Sequence, residues 1–315
     1  MEQFEKRVII TGGLGFIGSN FLNKFVPLYR DQLFINLDAE TYAADRKNVS
    51  VVEAPNYRFI KADIRDLSAL RKIFKEVHPT GVIHFAAESH VDKSIEGPAI
   101  FIETNVVGTH NLLAVSKEFE VQRYHQVSTD EVYGSLGPND APFTTSSSLA
   151  PNSPYSASKA SADLLVRSYV KTFGLNATIS RCSNNYGPNQ DKTKLIPKFI
   201  SLLLSGQKIP LYADGENIRD WIYVEDHIDA INLIFHRGQT GKVYNIGGNC
   251  EIKNIDIVRK LLTLTGRDES SIEFVQDRPG HDFRYAIDNH EIEREIGWEP
   301  KYHLDDGLAK YFHLL

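Results

Sequence analysis

A glycine cluster, Gly12-Gly13-Leu14-Gly15-Phe16-Ile17-Gly18, lies between the apolar run Val8-Ile9-Ile10 and a helix-like stretch from Phe16 to Tyr29. Strand, glycine turn and helix in that order commit the chain to a βαβ start, because a parallel second strand needs a helical crossover. Further β-rich apolar runs follow at Leu33–Leu37, Tyr57–Ile60, Val82–Phe85, Tyr124–Val127 and Ala177–Ile179, with helix-like segments between them. Short, nearly continuous apolar strands predict a parallel sheet buried on both faces, which is the doubly wound, Rossmann-type α/β fold.

After about Asn184 that rhythm weakens and turn signals multiply, as in Tyr186-Gly187-Pro188-Asn189, Ala213-Asp214-Gly215 and Ile246-Gly247-Gly248-Asn249. The expectation is a dinucleotide-binding domain over residues 1–183 and a smaller α/β substrate lobe over 184–315. Helices are expected near Leu195–Leu204, Val224–Phe235 and Ile255–Leu264, one of them returning to the first domain. The Ser/Thr/Pro-rich stretch Pro142–Pro154 reads as a surface loop.

Within the first βα turn, Gly12 suits the tight turn, Gly15 the close approach of a pyrophosphate and Gly18 close helix-to-strand packing. The anion would sit at the helix N-terminus. Asp38 ends the second strand about 20 residues after Gly18, where an acid binds a ribose 2′-hydroxyl and repels a 2′-phosphate, so NAD is expected over NADP. Asp63-Ile64, after the third strand, is placed either beside the adenine or in a plain turn. Ala86-Ala87-Glu88-Ser89-His90 follows the fourth strand, at the carboxyl edge where such sheets bind ligands.

Two further groups carry chemistry. In Tyr155-Ser156-Ala157-Ser158-Lys159 the tyrosine and lysine share one helix face, and the lysine charge is expected to favour the phenolate. Tyr155 could then take a hydroxyl proton while a hydride leaves the same carbon. In Ser128-Thr129-Asp130-Glu131-Val132-Tyr133-Gly134, two adjacent acids follow the fifth strand at the same edge. Oxidation of a sugar at C4 acidifies the C5 proton, which one carboxylate can remove. The other acid, kept protonated, can help the C6 hydroxyl leave as water.

Composition removes several alternatives. A formal net charge of -6 with scattered Lys and Arg leaves no footprint for nucleic acid. Two cysteines, Cys182 and Cys250, without ligand-spaced histidines predict neither disulfides nor a metal site. The charged Met1–Arg7 segment and the lack of a long apolar run predict a cytoplasmic chain without signal peptide or membrane span.

These motifs resemble the extended short-chain dehydrogenase/reductase family and, within it, the nucleotide-sugar 4,6-dehydratases, from Gly12 to about Gly307. The resemblance rests on Ala86–Asp92, Ser128–Gly134, Tyr155–Ala160, Cys182–Pro188, Lys194–Pro197, Ile218–Trp221 and Asp277–His281. It implies a lyase: tightly held, recycled NAD, dTDP-glucose as substrate and a dTDP-4-keto-6-deoxy-glucose product that serves deoxysugar synthesis, rhamnose included. By motif, Tyr155 starts C4 oxidation with Lys159 beside it, Thr129 bonds the C4 oxygen, Glu131 handles the C5 proton and Asp130 protonates the departing hydroxyl. NAD contacts implied are Gly12, Gly15, Phe16, Ile17, Gly18, Asp38, Thr41, Asp63, Ile64, Ala86, Ala87, Ser89, Thr104, Tyr155, Lys159 and Asn185. Substrate contacts implied are His90, Thr129, Asn184, Lys194, Leu195, Pro210, Tyr212, Arg219, Asn254, Arg278 and His281. A homodimer through helices near Ala99–Val115 and Ala157–Phe173 is also implied. Ala39-Glu40 departs from the Lys-Leu common at that place in the family, which bears on the adenosine side. UDP-glucose dehydration, a sugar-nucleotide 4-epimerase and a non-catalytic NAD-binding sensor are the alternatives. The last two have no need of the acid pair.

Overall fold

A computed structural model describes residues 4–277 and 280–315. Its centre is a seven-stranded sheet in the order β10-β6-β5-β4-β1-β2-β3, parallel at every pairing. The strands are β1 (Lys6–Thr11), β2 (Gln32–Asp38), β3 (Tyr57–Lys61), β4 (Gly81–His84), β5 (Arg123–Thr129), β6 (Ala177–Cys182) and β10 (Val243–Ile246). β2, β4 and β6 are buried along their whole length, as a sheet covered on both faces requires. The order reverses at β1, so ligand-binding loops gather at the carboxyl ends of β1 and β4.

Each face of the sheet has its own apolar layer. On one side Phe21 and Phe25 of helix Phe16–Leu28 pack with Ile228 and Ile231 of helix Val224–Arg237 and Ile292 of helix His290–Ile296. On the other, Leu70 and Phe74 of helix Leu67–Val77 join Leu112 and Leu113 of helix Thr109–Glu118 and Val166 of helix Pro154–Phe173. Leu70, Phe74 and Val77 recur at four- and three-residue steps, so one stripe of the helix meets the sheet. Each such side chain contributes roughly 1.5–3 kcal/mol by leaving water.

A third apolar cluster, including Ile196, Phe199, Tyr223, Val258 and Leu308, forms the second lobe. It is built on a three-stranded sheet of β11 (Glu251–Lys253), β9 (Ile218–Tyr223) and β7 (Asn184–Tyr186), and on the pair β12 (Ile272–Val275) and β8 (Ile209–Tyr212). The chain crosses back after residue 223: helix Val224–Arg237 and β10 complete the first sheet. Residues 142–154 hold no regular strand, yet Phe143 bridges to Ile287 and ties this loop to the segment after β12.

Candidate active site

The glycine turn after β1 is tight for steric reasons. Gly12 has φ of +70°, and a Cβ there would lie 2.7 Å from the backbone of Ala86. A Cβ on Gly18 would lie 2.4 Å from the carbonyl oxygen of Gly12, so the helix can approach the turn only without one. Gly15 caps the helix start without a side-chain hydrogen bond, so no side chain covers the first-turn N–H groups, and Gly15, Phe16, Ile17 and Gly18 line the cleft. Asp38 accepts from the backbone N–H of Leu14 at 3.0 Å and of Glu40 at 2.8 Å. Burial raises its pKa, and those two N–H groups oppose the rise.

One cleft of about 730 Å³ runs from this turn into the second lobe. Every residue expected from the sequence lines it except Arg278, which lies outside the described residues. Asp63 lines the cleft, and its carboxylate accepts from the Arg65 backbone and pairs with its guanidinium at 2.7 Å. The Arg65 hydrogen bond lowers the Asp63 pKa. Glu40, at the departure from the family pattern, is ion-paired with Arg46 and Lys61, which hold its carboxyl down at about 2.

The reacting groups are positioned by two structural devices. Ser153 and Ser156 form a capping box with Pro154 at the helix start, and this fixes Tyr155 in the first turn of helix Pro154–Phe173. Lys159 follows one turn later and donates to the carbonyl of Val127 at 2.7 Å. Burial lowers its pKa and the nearby Asp163 opposes that. Directly after β5 the chain bends into a single 3₁₀ turn, Asp130–Tyr133, whose first two residues are the acid pair.

Burial distinguishes the two acids. Asp130 is buried, one carboxylate oxygen accepts from the Thr129 hydroxyl at 3.3 Å, and the other has no partner. Burial first, then the charges of Glu131 and Asp220, raise its pKa well above the ordinary value, which favours its protonated form. Glu131 is only half-buried. The Tyr155 ring keeps some surface in the cleft, and burial of the hydroxyl, then the charge of Glu131, push its pKa well up. Cys182 beside them is pushed up to about 12 by burial, which leaves an inert thiol.

Toward the second lobe, Arg219 is buried and held by the carbonyls of Ile218, Asp282 and Phe283, with its guanidinium 4.4 Å from the Tyr285 ring centre. Lys194 donates to the Ser89 carbonyl at 3.0 Å and so joins the two lobes across the cleft. His281 bonds Asp277 at 2.6 Å and meets the Tyr212 ring edge-on. His90 keeps a buried, unpartnered Nδ1, and burial, then Lys194, lower its pKa. Sequence reasoning missed Tyr285, Trp221 and Glu88 as lining residues. Only its place in the fold brings Tyr285 to the cleft. Trp221 and Glu88 lie inside the motif stretches Ile218–Trp221 and Ala86–Asp92, but without a partner in sequence to suggest a role.

Residues 9–311 match the family model described as GDP-mannose 4,6 dehydratase. The chain is 46% identical over 302 residues to the low-salt glycan biosynthesis protein Agl12 of Haloferax volcanii, covering 96% of each. It is 44% identical to a dTDP-glucose 4,6-dehydratase of Xanthomonas campestris pv. campestris, covering 96% of this chain and 90% of that one. Among solved structures, the dTDP-glucose 4,6-dehydratase DesIV of Streptomyces venezuelae, with NAD and TYD bound, superposes with a TM-score of 0.94 at 46% identity, covering 98% of this chain and 96% of that one. With the acid pair, the Tyr155–Lys159 helix and the glycine turn on one cleft, these matches show that the chain belongs to the GDP-mannose 4,6 dehydratase family, among the 4,6-dehydratases of the extended short-chain dehydrogenase/reductases.

Proposed function

We propose that the protein is an NAD-dependent hydro-lyase that converts dTDP-glucose into dTDP-4-keto-6-deoxy-glucose. The observation that carries this reading is the acid pair: a buried Asp130 whose pKa is raised, adjacent to a half-buried Glu131, in the cleft that holds Tyr155 and Lys159. An epimerase using the same tyrosine and lysine has no step that needs a held proton of this kind. The dTDP-glucose 4,6-dehydratases among its relatives support thymidine over uridine nucleotides, and DesIV supports NAD as the cofactor.

The residues present fit NAD. The Gly12 and Gly18 approach, the uncapped helix start at Gly15 and the Asp38 carboxylate supply a pyrophosphate cradle and a ribose acceptor. Bound there, NAD supplies reversible hydride storage, between C4 at the start and C6 at the end. Tyr155 accepts the C4 hydroxyl proton, and its burial means that it needs the positive charge of Lys159 to do so. Thr129 holds the C4 oxygen. Glu131 removes the C5 proton made acidic by the C4 carbonyl, and Asp130 gives its proton to the C6 hydroxyl, which leaves as water. Glu131 then returns a proton to C5. One C–O bond is lost, one water is released, and the redox change cancels.

On this reading residues 1–183, completed by helix Val224–Arg237 and β10, bind NAD, and the second lobe binds the nucleotide through Arg219, Asn254, Lys194 and Tyr212. Ile102, Val107, Leu164 and Phe173 are exposed on the helical faces 99–118 and 154–173, which supports a homodimer through those helices. Among the described residues no helix is long and apolar enough to cross a membrane.

The test is incubation of the purified protein with dTDP-glucose, and separately UDP-glucose, without added NAD, followed by NMR. A new C6 methyl group and a C4 carbonyl from dTDP-glucose are expected. Recovery of a galactose epimer, or no turnover with NAD demonstrably bound, would overturn the proposal.

A further inference from the structure

We infer that Tyr42, Glu88 and Lys93 form a strap that closes over the bound dinucleotide and sets how fast it exchanges, an inference that rests on the assignment of this crevice to NAD. β1 lies between β2 and β4 in the sheet, so the loops after β2 and β4 flank the glycine turn. On the β2 side Leu14 donates to Asp38 at 3.0 Å and Asp45 donates to Leu14 at 3.2 Å. On the β4 side Ala86 donates to the Thr11 hydroxyl at 3.2 Å and its backbone abuts Gly12. The two loops then meet each other. The Tyr42 hydroxyl donates to the Glu88 carboxylate at 3.0 Å, and the Lys93 ammonium lies 3.3 Å from the centre of the Tyr42 ring.

These contacts close a circuit through the glycine turn, the loop after β2 and the loop after β4. Asp38, Asp63 and Ile64 lie toward the β2–β3 side of the circuit, and Thr129 and Tyr155 toward β5. A dinucleotide that reaches both groups passes through it. The β4 jaw is fixed: the Glu88 backbone exchanges two 2.9 Å hydrogen bonds with the Asn105 side chain, which bonds Ser158, the neighbour of Lys159, at 2.8 Å. The β2 jaw is the loop 39–45, which has no regular secondary structure and in which Tyr42 is half exposed. Release therefore requires the Tyr42 side to lift, which breaks a hydrogen bond to a charged group and a cation–π contact.

The experiment follows loss of isotope-labelled NAD from the purified holoprotein into excess unlabelled NAD. Tyr42→Phe removes one oxygen from a half-exposed side chain and leaves the Lys93 contact, so release should quicken about tenfold, the scale of one charge-assisted hydrogen bond. Glu88→Gln should quicken release in the same direction, Lys93→Ala should too, and Lys93→Arg should restore the parent rate because a guanidinium keeps the ring contact. NAD content at saturating NAD and the melting temperature should stay at parent values. Release at the parent rate in Tyr42→Phe, or in Lys93→Ala, would overturn the strap while leaving the NAD site intact. Failure of the parent protein itself to retain any NAD through desalting would overturn the NAD reading and the strap with it.

Discussion

Replacing Asp130 by Asn separates the catalytic and structural consequences of one buried carboxyl. The side chains are nearly isosteric, and the amide oxygen can still accept from Thr129, as the carboxyl does at 3.3 Å. The lost group is the proton donor to the C6 hydroxyl, and removal of a general acid costs about 10²–10⁴ in rate, or ~2.7–5.5 kcal/mol of barrier. Oxidation at C4 does not use that proton. Rapid mixing of the NAD-loaded variant with dTDP-glucose should therefore build up the near-ultraviolet absorption of reduced nicotinamide, while release of the 6-deoxy product slows at least a hundredfold. Stability should move the other way. Burial raises the Asp130 pKa, so the folded chain holds a proton that the unfolded chain gives up above about pH 4. Parent stability from this group is fully present below that pH and declines as pH rises toward the folded pKa. The Asn variant carries no such decline. Its melting temperature should match the parent near pH 4 and exceed it increasingly toward pH 7. Normal product release, or a variant less stable than the parent at neutral pH, would refute the reasoning.

Other consequences can be checked alongside. Glu131→Gln should allow C4 oxidation, seen as reduced nicotinamide, and block C5 proton exchange with deuterated water in NMR. Gly12→Ala should lose NAD on desalting and melt lower by an amount equivalent to about 1–3 kcal/mol, because its Cβ would lie 2.7 Å from the Ala86 backbone at a φ of +70°. Arg219→Lys should raise KM for dTDP-glucose about tenfold or more with a smaller effect on kcat, since a lysine cannot keep both the carbonyl contacts and a forked approach to an anion. His84 and His227 are both held near 3 by burial and so stay neutral when folded. Between about pH 3 and 6.5 the unfolded chain takes up protons there that the folded chain does not, so stability should fall on acidification by up to about 1.4 kcal/mol per pH unit for each. Denaturant titrations across that range measure the slope, and conservative replacement of either histidine by Gln should reduce it.

The sheet was legible because its strands are apolar nearly throughout, and six of its seven strands stand out as short runs between helices. β10 did not, because Val243–Ile246 is four residues long and its neighbour in the sheet, β6, lies about sixty residues earlier. Only tertiary pairing makes it part of the first domain. The candidate site was legible where chemistry is local: the glycine turn, the acid pair and the tyrosine–lysine step each occupy a few consecutive residues. Groups joined across distance were not. Tyr42 meets Glu88 across 46 residues, and Arg219 lies on Tyr285 in the other arm of the lobe, with no spacing to announce either contact. The surroundings of Tyr155 were legible only in part for a related reason. Its helical neighbour Lys159 is visible in sequence, whereas the desolvation that raises its pKa comes from the whole fold.

The most direct test follows a label through one turnover. With dTDP-glucose carrying deuterium at C4 and water as solvent, the proposed sequence of oxidation, elimination and return places that deuterium in the C6 methyl group of the 4-keto product, with solvent hydrogen at C5. Deuterium remaining at C4 of a recovered or epimerised sugar, or a 6-deoxy product whose methyl group carries none of it, would contradict the account.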